Sequence, residues 1–280
     1  MLQPASVDGP LLPPKGAPEY LVQSLDDNLG WPADELVVWN FHVDWSNPSA
    51  STLKPSSETS ATPFDSNPCV NAMIHSTTNF NCITQPGNVI TLDPLAYGYT
   101  GYRLVYRRFK MAPQSMTARV MVFAQTVTVG SDVNHTGIRW YILGQLAGTA
   151  NRPWRISQEG TYSPDDDDRW LPSPGIDAIG DVAIGFSVSG KKTFPSVRYA
   201  GRRVTDAPNK LPRHEATAAT GSAAQTNNPY FGDYTQLVID PTDDCRFWYV
   251  GPYYTTAAAG STHDFSTAVG SFRFKKCTSA

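Results

Sequence analysis

Long apolar runs are missing from this 280-residue sequence. The longest candidate, residues 118–129, is broken by Arg119, Gln125 and Thr126 and falls short of the ~20 residues that a membrane-spanning helix needs. Concentrated positive charge is missing too. Twenty-two Lys and Arg stand against 25 Asp and Glu, and no basic run exceeds a pair, so nothing resembles the footprint of a nucleic-acid-binding surface. The first residues, MLQPASVDGPLLPPKGAPEY, lack the basic start and continuous apolar core of a signal peptide. No nucleophile elbow, phosphate loop or dinucleotide fingerprint occurs. The five histidines, His42, His75, His135, His214 and His263, are widely spaced, and their positions argue neither a metal centre nor a catalytic triad.

Helical periodicity is also scarce, because 23 Pro and 21 Gly, with many β-branched residues, interrupt nearly every window where apolar residues recur at three and four. What is present is strand. Residues 36–45 (LVVWNFHVDW), 103–109 (RLVYRRF), 119–129 (RVMVFAQTVTV) and 137–143 (GIRWYIL) are rich in β-formers and separated by turn residues. Similar segments continue to residue 275.

Within that run the sequence repeats itself. Ile176, Asp177 and Phe186 superpose on Ile239, Asp240 and Tyr249 at a constant offset of 63 residues, and each copy reads as strand, acidic turn, strand. A further strand with an apolar, Arg, aromatic pattern follows in both: Val197, Arg198, Tyr199 and Phe272, Arg273, Phe274. Ile138, Arg139, Trp140 is a third such triplet. Two strands joined by a turn and followed by another strand suit the four-stranded antiparallel blade of a β-propeller. The chain then divides into an extended segment at 1–18, an incomplete blade with a cysteine-bearing loop at 19–100, full blades at 101–163 and 164–231, and an incomplete blade at 232–280. The expected fold is all-β, with about four blades of a larger propeller. On this division the first blade lacks its inner strand and the last its outer one. Two β-sandwiches are the competing arrangement.

The cysteines fit this picture. Cys69 and Cys82 enclose a polar loop, whereas Cys245 and Cys277 would tie a strand start to the chain's last residues. With no CxxC spacing, two disulfides in an oxidising compartment are expected.

The string GDYTQLVIDPTDDCRFWYVGPYY, followed by VGSFRFKKC, resembles the C-terminal signature of a group of large, mostly uncharacterised secreted bacterial proteins described as β-propeller or sialidase-like (exo-alpha-sialidase-like). LQPASVDG, FHVDW, GIRWY, GTYSPDD and GDVAIGFSVS are similar as well, so the resemblance spans nearly the whole chain. It implies a propeller and export, and places LQPA well inside a longer protein, with Met1 an internal residue or a cleavage point. It implies no chemistry.

Candidate sites are few. Sialidase-type hydrolysis needs converging arginines and a Tyr nucleophile beside a Glu. Arg139 and Arg198 sit in the repeated triplets, away from a central channel, and the Glu residues have no well-placed Tyr. Arg139, Tyr141, Arg198, Tyr230, Tyr253 and Tyr254 are nonetheless candidate ligand contacts, and Tyr97 and Tyr99 fall near expected loops. Asp177 and Asp240 are the carboxylates the repeat singles out. The run Asp165, Asp166, Asp167, Asp168 is the densest charge, a candidate calcium loop or a solvated loop tip. The expected function is a secreted, extracellular, periplasmic or cell-surface binding or structural module. It would meet another polypeptide, either the N-terminal half of the same precursor or a partner subunit, or a glycan, through a propeller face or a strand edge. The alternative is a sialidase-like glycoside hydrolase, or another hydrolase, whose site a missing N-terminal half completes.

Overall fold

The computed structural model describes residues 2–69, 81–87, 90–95, 102–111, 116–146, 152–256 and 265–278. His75, His263, Tyr97, Tyr99 and most of the loop between Cys69 and Cys82 lie outside these residues.

Alternation of apolar and polar residues, punctuated by turn residues, produces fifteen strands among the described residues. They are β1 (Leu2–Asp8), β2 (Glu19–Leu25), β3 (Glu35–His42), β4 (Thr52–Ser60), β5 (Leu104–Met111), β6 (Met116–Val129), β7 (Asp132–Leu146) and β8 (Arg155–Tyr162). β9 (Asp168–Ile176), β10 (Val182–Ser189), β11 (Ser196–Arg202), β12 (Arg213–Ala219), β13 (Gln236–Ile239), β14 (Arg246–Tyr253) and β15 (Ser266–Arg273) complete the set. The all-β architecture is consistent with a β-propeller-like fold. β9 to β12 form one antiparallel sheet in chain order and β13 to β15 another, while β1 to β8 join in a curled eight-stranded sheet of order β4-β3-β2-β1-β5-β6-β7-β8.

The extended segment at 1–18 contains a paired strand, β1. Leu2, Gln3 and Pro4 pair antiparallel with β2, and Ala5 to Asp8 then pair parallel with β5. The segment therefore supplies the inner strand that the group β2 to β4 was expected to lack. Beyond β15 the described residues contain no further strand.

Strands buried on both faces alternate between two cores, so apolar residues run on without a polar gap. On β5 to β7, Leu104, Tyr106, Met121, Phe123, Tyr141 and Leu143 face Val22, Leu36 and Val38 of the first group. Their neighbours Val105, Val122, Ile138, Trp140 and Ile142 face Ile184 and Phe186 of β10. On the far side of β10 and β11, Ala183 and Val197 meet Leu237, Phe247 and Tyr249. Four strand groups are thus stacked in series with three shared cores. Two buried arginines, Arg103 just before β5 and Arg107 on it, fasten neighbouring strand groups together. Arg103 binds Asp8 and the Leu237 carbonyl, and Arg107 binds Asp244 and the Ile176 carbonyl.

The repeat has a concrete cause in the turns. Asp177 Oδ1 accepts from the amides of Ile179 and Asp181 between β9 and β10, and Asp240 Oδ1 accepts from the Thr242 amide between β13 and β14. Both are Asx turns, in which the side chain replaces a backbone acceptor.

Candidate functional site

A cleft of about 850 Å³ opens where the start of β7, the loop between β8 and β9 and the start of β9 meet the turn that follows β10. Its walls include Asp132, Asn134, His135, Asp166, Asp167, Asp168, Lys191 and Lys192. Antiparallel pairing of β7 with β8 sets Ile138 opposite Tyr162, which brings His135 beside the residue that follows β8. A Cβ on Gly137 would stand 3.0 Å from the Tyr162 carbonyl oxygen and 3.2 Å from Ser163 Cβ, so this close approach needs glycine.

The outcome is a three-residue relay. His135 Nε2 lies 3.0 Å from Ser163 Oγ, and His135 Nδ1 lies 3.1 Å from Asp168 Oδ1. Asp168 is buried and also accepts the Thr136 amide at 2.9 Å, while His135 and Ser163 are half-buried. Burial raises the Asp168 carboxyl above its ordinary value, and the Thr136 amide and His135 pull it back. Chemically, an imidazole held between a hydroxyl and a buried carboxylate can accept the hydroxyl proton.

Sequence spacing does not expose this arrangement, because His135 lies on one strand while Ser163 and Asp168 bracket the acidic loop. The register of GIRWYIL against WRISQEGTY is the only signal that could have joined them.

The acidic run itself is spread over separate partners. Asp165 binds Arg169 at 2.8 Å, Asp167 accepts from Thr193 Oγ1 at 2.7 Å, and Asp168 belongs to the relay. Asp166 lies exposed on the wall of the cleft, beside Asp167. Among the described residues, the acidic group close enough to share an ion is a different one, Asp26, Asp27 and Asp34. There Asp26 accepts from the Asn28 and Ser66 amides, and Asp34 from the Asp27 and Phe64 amides, so the chain's own backbone holds these two carboxylates.

No family model and no curated protein matches the chain.

Of the other expected contacts, only Arg139 and Tyr141 lie together among the described residues. Arg139 pairs with Glu159, donates to the Thr62 carbonyl at 3.1 Å and lies 5.2 Å over the Tyr141 ring. Tyr141 is buried and Gln125 donates to its hydroxyl; burial pushes the phenol well above its usual range. It packs among the buried residues between β1–β4 and β5–β8. Arg198 binds Glu215 at 2.8 Å, and Tyr254 is enclosed in the core beside Trp170 and Phe231. Tyr253 is half-buried on β14, and Tyr230 stands at the surface beside an isolated bridge to Asp93. Arg103 and Arg107 are committed to Asp8 and Asp244.

Both expected disulfides form, Cys69 with Cys82 and Cys245 with Cys277, at Cα separations of 5.3 and 5.7 Å. Two disulfides fit an oxidising, extracellular type of environment.

Uncovered sheet surface marks the end of the stack. On the outward face of β13 to β15, Val238 pairs with Trp248 and Val250 with Val269. Trp248 is 40% exposed, Val250 36% and Val269 69%, and the outer edge of β15 pairs with no strand among the described residues. The first sheet has an equivalent face, where Trp39 donates to Gln23 and Phe41 lies opposite Leu53.

Proposed function

We propose that this chain is a secreted, extracellular β-propeller module whose four strand groups act as blades, and that it works by assembling with another polypeptide. The observation that carries this reading is the uncovered terminal sheet, with Trp248, Val250 and Val269 exposed beside an unpaired strand edge. Every internal sheet in the stack covers such a face with the next sheet, so the end faces call for the same kind of partner. A strand added along β15 would satisfy its free amides and carbonyls and continue the sheet, and the polypeptide that carries it would cover the apolar face. The partner is the remainder of a precursor or a separate subunit; a glycan would leave the free edge groups unmatched.

A photo-crosslinking side chain placed at Val269, with a second at the exposed turn residue Val204 as control, tests this in the secreting cell. A discrete polypeptide adduct from position 269 and none from 204 is expected. Equal labelling at both positions, or none at 269, would exclude assembly through this face.

A further inference from the structure

We propose that Ser163, His135 and Asp168 form a serine-hydrolase site that cleaves carboxylic esters bound in the adjacent cleft. The geometry supplies each required role. Ser163 Oγ is the nucleophile, His135 Nε2 at 3.0 Å is its base, and Asp168 at 3.1 Å from Nδ1 is a positioning residue that fixes the tautomer leaving Nε2 free to accept. Asp168 is itself anchored by the Thr136 amide, so the imidazole is held from a rigid strand.

The steps balance with water as the only co-reactant. Ser163 Oγ attacks the ester carbonyl as its proton passes to His135 Nε2. The tetrahedral adduct then expels the alcohol, which takes that proton, and leaves an acyl-serine. A water molecule, deprotonated by His135, attacks the acyl carbon, and the proton returns to Ser163 as the carboxylic acid departs.

The residue after Ser163 is Pro164, which has no N–H, so the amide next to the nucleophile cannot serve the oxyanion. Stabilising positive charge must come from Lys191 and Lys192, which line the same cleft and have no ion-pair partner among the described residues. Such a site suits esters, whose alkoxide leaving groups depart readily, better than amides. The carboxylates of Asp132, Asp166 and Asp167 on the cleft wall disfavour anionic substrates.

The test uses the full chain with a fluorophosphonate probe and 4-nitrophenyl acetate. Covalent phosphonylation mapped by mass spectrometry to Ser163 is expected, together with ester turnover. Ser163→Ala should remove the label and lower turnover by at least ~100-fold. Asp168→Asn, which keeps the nucleophile, should change the pH profile of acylation as well as its rate, a response that loss of packing alone does not give. Lys191→Met/Lys192→Met should lower kcat with little change in KM. A native protein that takes no label, or takes it at another residue, overturns the proposal without any variant having to fold. Turnover equal to the native level in a folded Ser163→Ala protein overturns it as well.

Discussion

The ring of Tyr249 occupies the space where a Cβ on Gly185 would stand, 2.3 Å from Tyr249 Cε2. Gly175 and Gly201 open the same face of the sheet to Leu237 and Phe274. The β9–β12 sheet is therefore flattened by missing side chains, and the residues of the last sheet fill the gaps. Gly185→Ala should destabilise the protein by about 1–3 kcal/mol, because a close-packed core cannot absorb an extra methyl without displacing the ring. Denaturant titration measures this. Since the two residues are in contact, Gly185→Ala combined with Tyr249→Leu should cost less than the two single changes together.

Arg169 is fully buried, held by Glu215 at 2.7 Å and Asp165 at 2.8 Å and seated 5.8 Å over the Tyr162 ring. Its charge anchors the acidic loop to β12. Removing one member of a buried pair leaves the other uncompensated, so Arg169→Gln should cost about 3–5 kcal/mol. Replacing Arg169 and Glu215 together by Met and Leu should cost less, since no fully buried charge is left unpaired; the released partners, Asp165 and Arg198, both reach solvent. Urea midpoints of the two variants at one pH decide the matter, and equal losses would show that packing, not charge, is responsible.

Much of this architecture is written in the order of residues. The triplets Ile138, Arg139, Trp140 and Val197, Arg198, Tyr199 stand on β7 and β11, each the third strand of its group, because alternation and turn residues are local signals. The disulfide pairs were legible from spacing and the want of any metal motif. β1 was missed because LQPASVD has weak alternation and a proline, and its strand character comes from bonding to β2 and then β5. The relay was missed for a related reason. Its residues are joined by register across strands, which spacing along the chain does not reveal.

The Cys245–Cys277 disulfide ties the start of β14 to the segment that follows β15, across 32 residues of chain. That closes the terminal sheet, which has one face uncovered and the least packing to hold it. Breaking the bond by Cys245→Ala/Cys277→Ala should cost about 2–4 kcal/mol, through the larger freedom of the unfolded chain. Hydrogen exchange should show the loss concentrated in β15, with β5 to β7 unaffected. Uniform deprotection would mean that the sheet does not open on its own.

Asp177 gives the clearest dependence on pH. Its side chain is fully buried, Oδ1 caps the turn, and Oδ2 has no hydrogen-bond partner among the described residues. Burial pushes its carboxyl up to about 7, aided by the charge of Asp181 and opposed by the turn amides and Arg107. The raised value means that the folded protein keeps a proton which the unfolded chain loses near pH 4. The contribution is therefore fully present below about pH 4, fades as the pH rises, and is gone above about 7, up to about 4 kcal/mol in all. Glu19, Asp168, Asp181 and Asp233 are raised as well and add to the same slope. Asp240, held down to about 2 by Thr242 and Trp248, acts with opposite sign and only at lower pH. Asp177→Asn cannot ionise, so its stability should fall less than that of the native protein between pH 5 and 7. Chemical denaturation across that range, read as the difference between the two proteins, isolates the group; parallel curves would mean that Asp177 is already ionised in the fold.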